Sequence, residues 1–296
     1  MTTYILIDAS YYIFYRVFAL YTWWNIKNKD KEECIDLHND IDFVERFKKV
    51  FVDKILELPN KLGIDKKEDI QFIIGKDCPR QHIWRNHFHS GYKGTRGDSG
   101  NSAIKPGEFF KIVYNESLFE SIPYINLLTV YNACMEADDC LAVTSKYLNT
   151  KYPESQVYII TSDTDYLQLK RDNTHIYNLK FKTVNTEKNS LGSPVKDLLY
   201  KIIIGDKSDN ISPVFSRYKD KNSDDDNKQY KELCLITKNI CGPKSTLNYV
   251  NDLKRFMSDI IKYNVYDKYK LNRRLIDFNM IPEFLQKDVL RQIAII

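Results

Sequence analysis

Nine carboxylates fall in five short clusters spread over about 200 residues, each at the end of an apolar, strand-like run. Asp8 follows Tyr4-Ile5-Leu6-Ile7, and Asp77 follows the run 70–74. Glu136, Asp138 and Asp139 lie just beyond 125–130, Asp163 and Asp165 beyond 157–160, and Asp206 and Asp209 beyond 202–205. Apolar runs of this length, separated by helix-length stretches, predict parallel strands buried on both faces. In open sheets of that kind the ligand site lies past the carboxyl ends of the strands, so the clusters are expected to converge on one crevice. So many negative charges repel one another unless divalent cations share the space. The pattern predicts a metal-dependent enzyme.

The rest of the composition fits a soluble globular protein of one large domain, or of one domain with a smaller helical companion. Of 40 acidic residues, setting aside the nine leaves 31 against 44 basic ones, an excess of 13 positive charges. A cationic body around an acidic pit suits a polyanionic backbone delivered to metal ions. The six cysteines (Cys34, Cys78, Cys134, Cys140, Cys234 and Cys241) form no C-x-x-C pair and have no His partner at zinc spacing. They read as reduced thiols of an intracellular protein. No export signal is visible, and the apolar stretch from Tyr11 to Trp24, interrupted by Arg16, is too short to span a bilayer. It is expected to be a buried, aromatic-rich first helix, and no membrane partner is expected.

Strand and helix patterns alternate: strands at 3–8, 70–75 and near 124–130, 157–161 and 174–178, with helices at 9–24, 40–58 and near 134–148 and 194–204. Alternation of this kind predicts an α/β fold with a mainly parallel central sheet flanked by helices. Between 78 and 105 the pattern gives way to Arg80, Arg85, His87, His89, Lys93, Arg96 and Lys105 mixed with Trp84, Phe88 and Tyr92. Glycines at 94, 97 and 100 are expected to make the middle of this basic-aromatic insertion mobile. Residues 216–231 are polar, include Asp224-Asp225-Asp226, and read as a flexible loop. The expected division is an α/β domain at 1–205, with its insertion at 78–120, and a helical region at 206–296.

Taken in order, these pieces resemble the 5′ nuclease family: flap endonucleases, polymerase-associated 5′ exonuclease domains and phage ribonuclease H enzymes. Ile7-Asp8-Ala9-Ser10-Tyr11 with Tyr15-Arg16 is similar to its opening motif. Asp77, with Trp84-Arg85 and Gly91-Tyr92-Lys93-Gly94-Thr95-Arg96, resembles its second Asp and its tyrosine-lysine-x-x-arginine signature. Met135 to Asp139 resembles its E-A-D-D element, Thr161 to Leu169 its paired-Asp element, and Gly205 to Asn210 its G-D-x-S-D-N element. The resemblance implies a PIN-like fold with a helical arch and a C-terminal helical DNA-binding region. It also implies structure-selective cleavage of DNA, or of RNA primers on DNA, at a 5′ end, flap or nick in replication or repair. A polymerase or single-strand-binding protein is the partner it suggests, and a monomer is expected.

Oxygen ligands without His or Cys select Mg²⁺ or Mn²⁺, and two ions ~4 Å apart are expected to hold the scissile phosphodiester. Glu136 and Asp139, like Asp206 and Asp209, are i,i+3 and are expected to share a face at a helix start. Asp139 and Asp209 are the two acids expected to stand behind the ligands or to cap a helix. By resemblance, Lys93 and Arg96 place positive charge on the attacked phosphate and Tyr92 stacks on a base, while Arg80 and Arg85 read either as phosphate contacts or as solvated, ion-paired surface residues. Relatives continue from S-D-N into Pro-Gly-Val and a Gly-Ile-Gly-x-Lys turn. Here the polar insertion intervenes, and Gly242-Pro243-Lys244-Ser245-Thr246 stands as a displaced remnant of that turn. Its helix start offers an anion site on Gly242, Lys244, Ser245 and Thr246. A catalytically silent branched-DNA binding protein and a PIN-class ribonuclease are the alternatives.

Overall fold

A computed structural model describes residues 2–28, 36–65, 69–94, 104–216 and 242–295. The chain divides into two compact units, one of residues 1–83, 98–186 and 283–296, the other of 84–97 and 187–282. This differs from the linear division at 205 read from the sequence. The last helix returns to the first unit, while helix 194–204 and the middle of the insertion belong to the second.

The first unit is built on five parallel strands in the order β3-β2-β1-β4-β5: β1 Thr2–Asp8, β2 Asp69–Lys76, β3 Asn126–Tyr131, β4 Val157–Ile160 and β5 Thr174–Tyr177. The central strands are near-continuous apolar runs because helices cover both faces. These are α1 (Ala9–Lys27), α2 (Ile41–Leu56), the short α3 (Leu58–Lys61), α4 (Pro106–Asn115) and α5 (Ala137–Lys151). Phe43, Phe47, Phe51, Phe109 and Phe119 interlock with Tyr12 in the core under α1. The first helix is half exposed rather than buried throughout. Tyr12, Ile13, Val17 and Leu20 face inward, whereas Phe14, Phe18 and Trp23 are 40% or more exposed. Arg16 is buried between the rings of Tyr12 and Tyr15.

In the second unit α6 (Pro194–Ile204) is followed by α7 (Pro243–Asn251), α8 (Leu253–Lys262) and α9 (Tyr266–Ile276). Its core is Ile203, Val214, Phe215, Tyr249, Phe256 and Ile260. The final helix, α10 (Glu283–Ile293), packs on α5 and β3 of the first unit. There Gln292 covers the edge of β3: its side-chain amide accepts from Tyr131 N at 3.1 Å and donates to Tyr131 O at 2.8 Å. No helix among the described residues is long and apolar enough to cross a membrane.

Candidate metal and phosphate sites

In the first unit the acids gather at the carboxyl ends of the strands. Asp8 is both the last residue of β1 and the N-cap of α1, its Oδ1 accepting from Tyr11 N at 3.0 Å. In register it lies opposite Gly75 of β2. A Cβ at Gly75 would come within 2.6 Å of Leu141 Cγ and 2.8 Å of Ala137 O, so only glycine lets α5 press on the sheet there. That approach brings Ala137 N to Asp77 Oδ1 at 2.7 Å, while Ser10 donates its hydroxyl to Asp77 Oδ2.

Glu136 and Asp139 form a capping box at the start of α5, as expected for Asp139. Glu136, Asp138 and Asp139 each bring a carboxylate oxygen within 4.8 Å of the others. Asp163 caps the short 3₁₀ helix Thr164–Leu169 and accepts from Asp165 N at 2.9 Å.

The electrostatics match this crowding. Burial, and after it the charges of Asp77 and Asp163, push Asp8 up to about 7, against hydrogen bonds from Tyr11 and Tyr166. Tyr114 is raised by burial and by Asp77 and Asp8, and Tyr166 by burial and by Asp8 and Asp138. Burial, Glu136 and Asp77 raise Cys78 to about 12. An all-oxygen donor set crowded around a buried carboxyl fits a hard divalent cation.

Asp206 and Asp209 lie in the second unit and depart from expectation. The apolar run before them is the end of α6, not a strand, and they stand in a tight turn, not at a helix start. Gly205, at φ 74°, ends the helix, and Asp206 and Ile211 close the turn with paired backbone hydrogen bonds at 2.8 and 2.7 Å. A Cβ at Gly205 would sit 2.3 Å from Ile211 O. Nor are these two charges uncompensated. Burial alone would raise Asp206, but Lys201 at 2.9 Å and hydrogen bonds from Ser208 outweigh it and hold the carboxyl at about 2. Asp209 accepts from Tyr92 Oη at 3.1 Å and lies 3.7 Å from Lys93 Nζ.

Three candidate nucleic-acid contacts are buried instead. Tyr92, 5% exposed, has no free face for a base. Arg85, 2% exposed, donates from Nε to Leu275 O at 2.7 Å and stacks on Trp84, which ties it into the fold. Thr246 is wholly buried and its N–H is taken up within α7 by Gly242 O, so the anion turn loses that member. Gly242 is the N-cap of α7, Ser245 is half-buried, and Lys244 and Arg80 are exposed. Arg96 and nearly all of the polar insertion 216–231 lie outside the described residues.

Sequence reasoning gave no role to Ser10, Tyr166, Lys201 or Asn272. The first two stand inside the quoted motifs, beside the acids they serve. Lys201 lies five residues before Asp206. Asn272 lies 60 residues beyond Ser212, and its Nδ2 bridges Ile202 O at 3.0 Å and Ser212 O at 2.9 Å across the neck of the acidic turn. Local sequence gives no signal for such a contact.

Comparison with known proteins places the chain in context. Residues 3–193 match the family described as 5′-3′ exonuclease, N-terminal resolvase-like domain, and residues 192–295 match the C-terminal domain of T4 RNase H. The chain is 25% identical over 239 residues to Ribonuclease H of Enterobacteria phage T4, covering 77% of this chain and 72% of that protein. Its fold is similar to that of the T5 D15 protein crystallised with metal ions, at a TM-score of 0.55 and 16% identity over 99% of both chains. A substituted form of the T5 D15 flap endonuclease, in a pseudo-enzyme-product complex with DNA and metal ions, gives the same TM-score, identity and coverage. With its parallel sheet, ordered acidic motifs and matched C-terminal region, the chain belongs to the 5′-3′ exonuclease family.

Proposed function

We propose that this protein is a metal-dependent, structure-selective 5′ nuclease that hydrolyses phosphodiester bonds in DNA, and in RNA primers annealed to DNA, during replication or repair. The observation that carries this reading is the cluster of acids at the strand ends, where burial first, and then the neighbouring charges of Asp77 and Asp163, push Asp8 up to about 7. The family match and the likeness to a phage ribonuclease H support it.

Asp8, Asp77, Glu136, Asp138, Asp163 and Asp165 are the residues to hold two Mg²⁺ or Mn²⁺ ions. Such ions supply a hydroxide-like nucleophile at neutral pH and neutralise the leaving oxygen. The chain's own groups set the frame. Ser10 and Ala137 N–H aim Asp77, and Tyr11 N–H and Tyr166 aim Asp8. Asp139 is engaged with the N-terminus of α5 and serves Glu136 by holding that helix start in place. Lys93 and Arg96 are the cations for the attacked phosphate, a role whose strength comes from being fixed before the substrate arrives. Gly242, Lys244 and Ser245 at the start of α7 are the candidates for the duplex backbone, together with exposed Arg80. A polymerase or single-strand-binding protein is the partner class that such cleavage implies, inside the cell where DNA is copied.

The test is cleavage of end-labelled 5′-flap, nicked, blunt and RNA-primed duplexes with Mg²⁺ or with EDTA. Release of 5′ products from branched or primed duplexes only when Mg²⁺ is present is expected. Equal cleavage in EDTA, or no cleavage of any of these substrates, rejects the reading.

A further inference from the structure

Tyr92 is covered, but the second unit leaves two other aromatic rings open beside cations. Phe88 is 42% exposed and Tyr266 is 50% exposed. The guanidinium carbon of Arg274 lies 4.3 Å from the centre of the Phe88 ring, and Lys270 Nζ lies 4.9 Å from that of Tyr266. Tyr266, Lys270 and Arg274 are spaced i, i+4, i+8 and line one face of α9, while Asn272, Leu275 and Ile276 turn inward. Segment 84–88 is fixed at the far end of that face. Arg85 Nε bonds to Leu275 O at 2.7 Å, and Trp84 meets Phe88 edge-on at 6.0 Å. Aromatic and cationic groups therefore alternate along about 12 Å of helix. Their charges are not equally engaged. Lys270 pairs with exposed Asp267 at 2.7 Å and Arg273 with Asp277 at 3.2 Å, whereas no carboxylate pairs with exposed Arg274 among the described residues.

We infer that this face is a track for an unpaired strand, the 5′ flap of a branched substrate, with Phe88, Arg274, Lys270 and Tyr266 as the residues that touch it. The inference rests on the proposed nuclease function and names where the single-stranded part of the substrate runs. A guanidinium held flat on Phe88 leaves its outer face for a base and its N–H fork for a phosphate. A duplex hides the faces of its bases, so open rings beside cations select a strand whose bases are unpaired. Tyr92 N bonds back to His89 O at 2.9 Å, which keeps Lys93 close to Phe88 in the chain's path. A strand leaving the phosphate at Lys93 meets this face within a few nucleotides, at roughly 3.4 Å each.

The test is equilibrium binding, in EDTA, of a fluorescent nicked duplex with and without a short oligo-dT 5′ flap. The flap should tighten binding to the wild-type protein about tenfold or more. Phe88→Leu keeps an apolar contact on Trp84 and removes the flat ring, and Arg274→Gln keeps the stem and removes the charge. Each should take away about fivefold or more of the flap's contribution, the scale of one lost base stack. Arg274→Gln should also lower the salt slope of flap binding by about 0.7, the value for one single-strand phosphate. Phe284→Leu, at an exposed ring on α10 outside the track, should change nothing. A flap that adds no affinity in the wild type, or whose contribution both variants leave intact, overturns the inference. Equal weakening of the duplex without a flap makes the face a general backbone contact and overturns it as well.

A second readout separates contact from a purely structural role. 5-Iodouracil placed in the flap should photo-cross-link to Phe88 or Tyr266, as located by mass spectrometry of the digested adduct. Cross-links found only elsewhere overturn the inference. Neither readout needs turnover. A wild-type protein that cleaves nothing would reject the nuclease reading, and binding and cross-linking would still decide the track.

Discussion

Asp77 Oδ1 accepts the backbone N–H of Ala137 at 2.7 Å, so the second acidic position is bonded to the start of the helix that carries the next three. Removing this side chain does two things. It relieves repulsion on Asp8, and it leaves the Ala137 N–H and the Ser10 hydroxyl without their acceptor. Asp77→Ala is therefore expected to destabilise the protein by ~1–2 kcal/mol, the scale of a lost cap. Asp163→Asn, at an exposed position, should leave metal-free melting unchanged or higher. Both should abolish Mg²⁺-dependent cleavage, and Asp163→Asn should still bind branched DNA. Thermal unfolding beside cleavage and gel-shift assays checks the pair.

Asp8 gives a pH dependence whose sign is set by its upward shift from 3.8 to about 7. Between those values the folded chain holds a proton that the unfolded chain has released. The contribution to metal-free stability is therefore full at low pH and is lost as pH rises through about 7. Divalent ions bind the deprotonated site, so Mg²⁺ should raise the melting temperature more at about pH 8 than at about pH 5.5. Asp8→Asn should flatten the metal-free profile. Melting curves in EDTA and in Mg²⁺ across this range decide it, and a profile rising toward alkaline pH in EDTA would count against the assignment.

Arg85 and Lys244 are both candidates for the nucleic acid by sequence, yet one is buried and the other exposed. Arg85→Ala leaves Leu275 O without its donor and is expected to cost ~1–3 kcal/mol of stability with no change in the salt dependence of DNA binding. Lys244→Ala should leave stability alone and flatten that salt dependence by about one counterion. Binding titrations from low to moderate salt separate the two, and a reversal of these effects would return Arg85 to the interface.

Gly192 and Gly205 both have positive φ, at 79° and 74°, but their surroundings differ. No heavy atom lies within 4 Å of a Cβ built at Gly192, whereas one built at Gly205 meets Ile211 O at 2.3 Å. Gly192→Ala should cost only ~1 kcal/mol, the strain of the backbone conformation alone. Gly205→Ala must also push apart the neck of the turn holding Asp206 and Asp209. It should melt well below the Gly192 variant and lose cleavage even where it stays folded. Equal melting temperatures would show that the neck yields freely.

Much of the first unit was legible because its signals are local. Apolar runs of strand length alternate with helical periods, and each strand-end acid caps or adjoins the next helix, as Asp8 and Glu136 do. What sequence could not give was compensation. Lys201 neutralises Asp206 from the preceding helix, and Lys93 reaches Asp209 across 116 residues of chain. Burial misled in the same way. Arg85, Tyr92 and Thr246 look like phosphate and base contacts by residue type, but each is buried, Arg85 bonded to Leu275 and Tyr92 to Asp209 far along the chain. The first helix errs in the other direction, since an almost wholly apolar stretch left Phe14 and Phe18 outside.

The final helix, whose Gln292 amide pairs with Tyr131 at the end of edge strand β3, has a consequence for how the protein is made. Residues 283–293 leave the ribosome only after the whole second unit, although the strand they cover emerges more than 150 residues earlier. Until then β3 presents an open row of backbone donors and acceptors, the kind of template on which nascent chains pair with one another. Synthesis that stalls before residue 283 should therefore yield aggregates, not a trapped nuclease fragment. Supplying the final helix in trans during refolding should reduce that loss.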